Sequence, residues 1–411
     1  MKKYFVILGG NMLLKGIYDK LKSFGYEVIV IDWNDEPAVK GDIHIQVDVK
    51  DANTIIKILK KGGYDIDGAI SCIDLAVPSV NAINKAYGLL SMPEKFNTVL
   101  TKSQMRTDWE VAGIFNRFSK SFDDTLMNEI IALNYSSKVI IKPDIAASSR
   151  GITILEKNSA KGQIENAIKK AKDISFDNNC LVEEFIEGQE FTIDMLGDNY
   201  GNICVYGISV KYHSKNAINN RVAVKLHWNS NAFSDDVYRK IAERGKECYR
   251  AIGLKNAFGH LEMIMKPDGT FSPVEIGARS SGFIASHLVA AASGRDYLND
   301  YIKMLHGENV GSKDHINGRN SSMWFGYDIP SGLTSIKESN LVNFLSKEIK
   351  VMYSNRDGLQ VGKTFGSIID DNGRDHAGYE MLTGPKDILT IDNIRKAEQD
   401  FLNDFSGKNE S

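Results

Sequence analysis

Gly259-His260-Leu261-Glu262-Met263-Ile264-Met265-Lys266-Pro267-Asp268-Gly269-Thr270-Phe271-Ser272-Pro273-Val274-Glu275-Ile276 is the stretch on which the reading of this chain turns. Two apolar runs flank Asp268-Gly269, a dipeptide that favours a tight I′ hairpin because both residues tolerate positive φ. A two-residue loop sets Pro267 against Thr270, and that register puts Glu262 directly across from Glu275. Like charges opposed in a ladder destabilise it. A divalent cation would neutralise them, and an oxygen-only ligand set favours Mg2+ over zinc or copper. The other reading is two carboxylates splayed into water. Pro273 marks where a bulge would disturb the register. His260 falls on the same face one pleat away, as a substrate contact or as a structural hydrogen-bonding group.

Directly after the hairpin comes Gly277-Ala278-Arg279-Ser280-Ser281-Gly282-Phe283, a small-residue turn into a predicted helix at 283–292. Backbone N–H groups at a helix start suit anions, and an arginine there can fork onto a phosphoryl or carboxylate group. Alternatively Arg279 pairs with a neighbouring acid.

Upstream, Val139-Ile140-Ile141-Lys142-Pro143 reads as a strand ending in a lysine. A small, hydroxyl-rich tip follows, Ala146-Ala147-Ser148-Ser149-Arg150-Gly151, and then a second apolar run, Ile152 to Leu155. Leu181 to Asp194 reads as strand, turn and strand, with Glu183-Glu184-Phe185-Ile186 before the turn and Glu190 after it. A purine fits against Phe185 and Ile186, with main-chain groups at its edge and Glu190 accepting from ribose hydroxyls. Singly these are weak signals. Together, Lys102, Lys142, the tip, the acidic connector, the carboxylate pair and Arg279 are the parts that hold a metal-bound nucleoside triphosphate. No GxxxxGK[ST], HRD or DFG motif is present, so the site is neither a P-loop nor a protein kinase.

The first hundred residues alternate strand and helix: strands at 4–8, 27–31 and 65–71, helices at 12–24 and 77–87. Such alternation argues a parallel α/β sheet. Gly9-Gly10 after the first strand and Asp32 after the second hint at dinucleotide binding, but Gly9-Gly10-Asn11-Met12-Leu13-Leu14 lacks the rest of GxGxxG. The chain changes style near residue 98, where Thr101-Lys102-Ser103-Gln104 opens a polar helix. Further helices are predicted at 163–172, 235–252 and 392–405, the last inside a β-rich segment with its own small core.

With 411 residues the chain needs two or three domains. Its net charge of −3 leaves no electrostatic footprint for nucleic acid or an anionic membrane. The 4 cysteines are widely spaced without metal-ligand spacing and read as reduced thiols. No segment is long and apolar enough to span a bilayer. A cytoplasmic protein is expected.

In the order of these parts the sequence resembles the ATP-grasp superfamily of carboxylate–amine ligases, and within it bacterial L-amino acid ligases, with carbamoyl-phosphate synthetase large-chain and biotin carboxylase relatives nearby. The resemblance implies an α/β ATP-grasp fold: a Rossmann-like domain at 1–97, the ATP-grasp domain at 98–308 with a mobile lid lobe at about 115–182, and a β-rich module at 309–411. It implies ATP and Mg2+ (or Mn2+) as cofactors, small carboxylate and amine substrates, and a homodimer, the common state of similar proteins. Lys102 and Lys142 then contact phosphates, and residues 146–151, with Ser148, Ser149 and Gly151, cover them. Glu183, Glu184, Phe185 and Ile186 hold adenine, and Glu190 the ribose. Glu262 and Glu275 ligate the metal, and Arg279 steadies an acyl phosphate. His260, His213 and Arg150, along with the span 221–227, are candidate substrate contacts. One position departs from the pattern: many members carry asparagine where this chain has Gly277. Other readings are a bicarbonate-activating carboxylase, a non-catalytic nucleotide-binding protein and a nicotinamide dehydrogenase.

Overall fold

The amino-terminal alternation folds as predicted. Strands β1 (Tyr4–Leu8), β2 (Glu27–Asp32), β3 (Ile43–Gln46) and β4 (Ile66–Ile70) pair in parallel in the order β3-β2-β1-β4. Helices α1 (Lys15–Ser23), α2 (Ala52–Lys61) and α3 (Val77–Ala86) connect them or follow them. Residues 5–8 and 28–31 are completely buried, as expected where helices cover both faces of a parallel sheet. The Asp51 side chain caps α2 by accepting from Thr54 N, and Ile55 and Leu59, four residues apart, anchor the helix. This description rests on a computed structural model covering residues 2–146, 149–217, 222–282, 285–316, 318–368 and 377–407.

The glycines after β1 serve packing. A Cβ at Gly9 would meet Ile73 at 2.4 Å and one at Gly10 would meet Pro37 at 2.4 Å. Asp32 accepts from Gly10 N at 2.6 Å and from both the backbone and side chain of Asn34 at 2.8 Å. Both its oxygens are thus committed to the turn, which argues against a ribose contact and the dehydrogenase reading.

Helix α4 (Lys102–Val111) opens the next part, capped by Thr101, which accepts from Gln104 N at 3.1 Å. A small antiparallel sheet follows, order β5-β8-β6-β7, from β5 (Ser119–Ser121), β6 (Val139–Pro143), β7 (Thr153–Leu155) and β8 (Cys180–Glu184). Helices α5 (Met127–Ser136) and α6 (Lys161–Ile174) pack on it around Ile130, Ile141 and Ile164.

The chain then builds its largest sheet. It begins with β9 (Gln189–Gly197), β10 (Ile203–His213) and β11 (Ala223–Trp228) and, after helix α7 (Asp235–Ala251), adds β12 (Ala257–Met265) and β13 (Phe271–Gly277). Ser234 caps α7, and Tyr238, Ile241, Ala242, Gly245, Cys248 and Tyr249 form its buried face at helical spacing. Helices α8 (Ala285–Ser293) and α9 (Tyr297–Leu305) close the other face. Residues 283–284, where the sequence reading starts α8, lie outside the described residues.

The β-rich carboxy-terminal segment has its own small core but shares its main sheet with the preceding part. Its strands β14 (Asn320–Gly326), β15 (Thr334–Ser335), β16 (Lys350–Asn355), β17 (Tyr379–Pro385) and β18 (Phe405–Ser406) do not form a separate main sheet. Instead β14 pairs with β11, giving eight strands in the order β13-β12-β9-β10-β11-β14-β17-β16, while β15 and β18 clip together. Alternation along β14 explains the shared architecture. Met323 and Phe325 face a local core with Leu382 and Phe401, whereas Trp324 faces the core of α8, α9 and the amino-terminal layer. The last helix, α10 (Ile391–Leu402), is capped by Thr390, and the chain then turns into β18 instead of remaining helical to 405.

Candidate active site

The carboxylate hairpin has the predicted pairing by a different route. Glu262 lies opposite Glu275, but Met263 lies opposite Pro273, so the register shifts between them. The loop has three residues, not two: Lys266 N donates to Thr270 O at 2.8 Å and Gly269 N to Lys266 O at 2.9 Å. Only Gly269 takes positive φ, at 80°, so this is not the I′ turn the sequence suggested. One extra residue in the loop and one in a bulge beside Pro273 cancel, restoring the carboxylate pairing.

The two carboxylates line a cleft of about 610 Å³ between the small sheet, the large sheet and the carboxyl ends of β1, β2 and β4. Each has a lysine. Lys102 Nζ is 3.0 Å from Glu275 Oε2, and Lys211 Nζ is 3.0 Å from Glu262 Oε1. Lys211 also bridges to Glu190, whose other oxygen is 3.0 Å from His213 Nε2. Desolvation works to raise the half-buried Glu275, yet Lys102 draws its pKa down to about 2. Glu262 goes the other way: desolvation outweighs Lys211, and Glu190 and Glu275 add repulsion. The pair therefore carries unequal proton affinity, the signature of carboxylates held close without a full complement of cations.

On the small-sheet side a second cluster forms around Glu183, which is completely buried. Lys142 Nζ is 2.7 Å from its Oε2 and Arg117 Nη2 3.2 Å away, while Arg106 Nε and Ser119 Oγ bond Oε1. Three cations thus share one carboxylate. Desolvation, aided by Arg106 and Arg117, pulls Lys142 down to about 7 despite Glu183. Glu183 stays far below the usual range because all three cations outweigh its burial. A site with such a surplus of positive charge suits a polyanion.

In the connector, Glu183 lines the cleft and its side chain is the counter-ion of the lysine cluster. Glu184 is not part of the cleft lining; its N–H donates to Phe118 O and its C=O accepts from Arg117. Phe185 and Ile186 do line the cleft, as do Glu190, Ser149 and Arg150. Ser149 takes φ 55°, and Gly151 takes φ 75° where a Cβ would meet Pro143 at 2.8 Å, so the tip turns tightly after Lys142. Ser148 lies outside the described residues, and so does residue 221.

Arg279 pairs with an acid at the cleft wall. It lines the cleft, and it forks onto Asp74, with Nε 2.8 Å from Oδ1 and Nη2 2.9 Å from Oδ2. His260 also lines the cleft and is held by Asp194 (Nδ1 to Oδ1, 3.0 Å), which Trp228 Nε1 fixes at 3.0 Å. Sequence reasoning missed Arg106, Arg117, Lys211 and Asp74. For Lys211 a signal existed: it sits beside Glu190 across the β9–β10 hairpin, but a bulge near Tyr206 obscures the count. Asp74 and Arg279 are 205 residues apart, and no local pattern joins them.

The family profile described as the ATP-grasp domain matches residues 135–287, spanning β6, the connector, the hairpin and Arg279. The chain carries the ATP-grasp fold. It is 25% identical over 292 residues to the D-alanine–D-alanine ligase of Geotalea uraniireducens, covering 67% of this chain and 84% of that one. Its ATP-grasp fold is similar to that of L-amino acid ligase from Bacillus licheniformis, with a TM-score of 0.71 at 14% identity over 100% of this chain and 99% of the other. It is also similar to the biotin carboxylase domain of 2-oxoglutarate carboxylase from Hydrogenobacter thermophilus, with a TM-score of 0.69 at 15% identity over 99% and 90% of the two chains.

Proposed function

We propose that this ATP-grasp protein is an ATP- and Mg2+-dependent ligase that activates a small carboxylate, an amino acid, and joins it to an amine. The carrying observation is the concentration of Lys102, Lys142 and Lys211 around a facing carboxylate pair in one cleft. The lysines and Arg117 attract and orient the triphosphate, and Phe185 and Ile186 form an apolar bed for its base.

The donor set fits Mg2+. Glu262 and Glu275 offer oxygen ligands only, and no cluster of three or more acidic, histidine or cysteine ligands exists among the described residues. Mg2+ characteristically takes one or two carboxylates and completes its shell with phosphate and water. When bound it neutralises charge on the transferring phosphoryl group. Gly277 offers no ligand, so the reading requires no protein oxygen there.

In this reading the substrate carboxylate attacks the γ-phosphorus, giving an acyl phosphate and ADP. The amine then attacks the acyl carbon and phosphate departs. Arg279 faces the acyl phosphate, while the β5–β8 lobe, about 115–182, is the lid that excludes water from it. The D-alanine–D-alanine ligase relatives and the L-amino acid ligase neighbour support this reaction class.

ATP consumption with Mg2+ tests the reading across single and paired amino acids and bicarbonate, with ADP and AMP resolved. ADP and phosphate released with particular amino acids support it. AMP and pyrophosphate would refute the acyl-phosphate route. Turnover with bicarbonate alone would favour a carboxylase.

A further inference from the structure

The carboxyl ends of parallel strands are where open α/β sheets bind ligands. Here three of them reach the cleft, through Asn11 after β1, Trp33 after β2 and Asp74 after β4. Phosphate binding gives no role to Asp74 or Trp33.

Asp74 occupies the fork of Arg279, and the backbone is shaped to let it. A Cβ on Gly277 would stand 2.9 Å from Asp74 Oδ1, so the small residue that departs from the family pattern makes room for this carboxylate. Asp74 takes the Nε and Nη2 edge, and Nη1 also donates to Ser280 O, so an anion can take the remaining Nη1/Nη2 edge beside Asp74. A simple carboxylate there would lie next to the Asp74 carboxylate, and the two like charges would repel. A zwitterion has no such penalty, because its ammonium sits against Asp74.

Trp33 supplies the second half. It is 49% exposed, whereas Trp109, Trp228 and Trp324 are at most 1% exposed. An indole left open on a cleft wall offers a large apolar surface. β2 and β4 flank β1, and Trp33, directly after β2, and Asp74, in the turn that follows β4, both line the same cleft as Arg279. One amino acid with its side chain extended would reach from Arg279 and Asp74 toward Trp33.

We propose that Asp74 and Trp33 are specificity-determining residues that select an α-amino acid with an apolar side chain. Its carboxylate takes Arg279, its ammonium takes Asp74, and its side chain covers Trp33. The assignment rests on the ligase reading for its role in turnover, but the binding it requires is measurable alone.

The one exposed tryptophan provides the readout. Intrinsic fluorescence of the full chain with Mg-ADP is titrated with alanine, leucine and methionine in both enantiomers, and with 4-methylpentanoate, which is leucine without its amino group. A blue shift with leucine or methionine that disappears in Trp33→Phe is expected. Asp74→Asn should weaken amino acid binding by about tenfold or more, the scale of a charge-assisted hydrogen bond, and strengthen 4-methylpentanoate binding, because the opposing carboxylate is gone. Melting temperatures of both variants check that they are folded. Equal binding of leucine and 4-methylpentanoate by the wild type, or absence of any shift, overturns the proposal. Leucine binding without ADP release would refute the ligase reading and leave this assignment standing. ADP release as fast with 4-methylpentanoate as with leucine would overturn the assignment and leave the ligase reading intact.

Discussion

Lys142 Nζ lies 2.7 Å from Glu183 Oε2, yet the lysine's pKa falls to about 7, because Glu183 is shared with Arg106 and Arg117 and the site is dry. Bound phosphates would favour the charged lysine and raise that value. Below about pH 7 the lysine is charged with or without nucleotide, and affinity is flat with respect to this group. Above it, binding must take up a proton. Affinity for Mg-ADP is therefore expected to fall with rising pH, by up to about tenfold per unit. Calorimetry in buffers of different ionisation enthalpy should register the proton uptake, and Lys142→Arg, cationic throughout, should abolish the slope. A flat profile in the wild type would contradict the assignment.

Glu183 holds that cluster together, and its removal should affect stability before chemistry. Glu183→Gln keeps the shape but leaves Arg106, Arg117 and Lys142 without a counter-charge in a fully buried setting. Breaking a buried ion pair in this way costs about 3–5 kcal/mol. Chemical denaturation should show a lower midpoint, with partial recovery by added nucleotide, because a polyanion offsets the same surplus. If Glu183 touched only the purine, stability without ligand would not change.

What the sequence disclosed, and what it hid, follows from the range of each interaction. The alternation of β1 to β4 and the apolar spacing of α7 are local and were readable. The Glu262–Glu275 pairing was readable too, but only because the three-residue loop and the bulge beside Pro273 offset each other. The Glu183 cluster was not: it joins α4, β5, β6 and β8, and sequence spacing does not reveal which strand neighbours bring cations to a buried acid. The merging of the carboxy-terminal strands with the large sheet was equally hidden, since the pairing of β11 with β14 is set by tertiary packing across about a hundred residues.

The facing carboxylates should separate metal dependence from nucleotide binding. Glu275→Gln removes the proposed metal ligand and the partner of Lys102 while conserving volume. ADP release is expected to fall by about 10²-fold and the Mg2+ concentration for half-maximal rate to rise by about tenfold or more. Mg-free ADP affinity should hold or improve, since Lys102 is released toward phosphate. Equal losses in Mg-free and Mg-containing binding would argue that Glu275 acts only as a lysine anchor.

Gly277 offers the sharpest structural test, because a side chain there should be harmful. Asparagine at 277 places a Cβ 2.9 Å from Asp74 Oδ1 and 3.1 Å from Arg279 Cγ. Neither atom can yield without opening the Arg279–Asp74 fork, so Gly277→Asn should cost about 1–3 kcal/mol of stability. Asp74→Ala alone should also destabilise, by leaving Arg279 without its partner. The combination should be less damaging than the sum, because removing the Asp74 carboxylate makes room for the new side chain. Denaturation of the two single variants and the double variant closes the cycle, with a coupling of about 0.5–3 kcal/mol expected. Strict additivity would mean that Gly277 is small for a reason unconnected with Asp74.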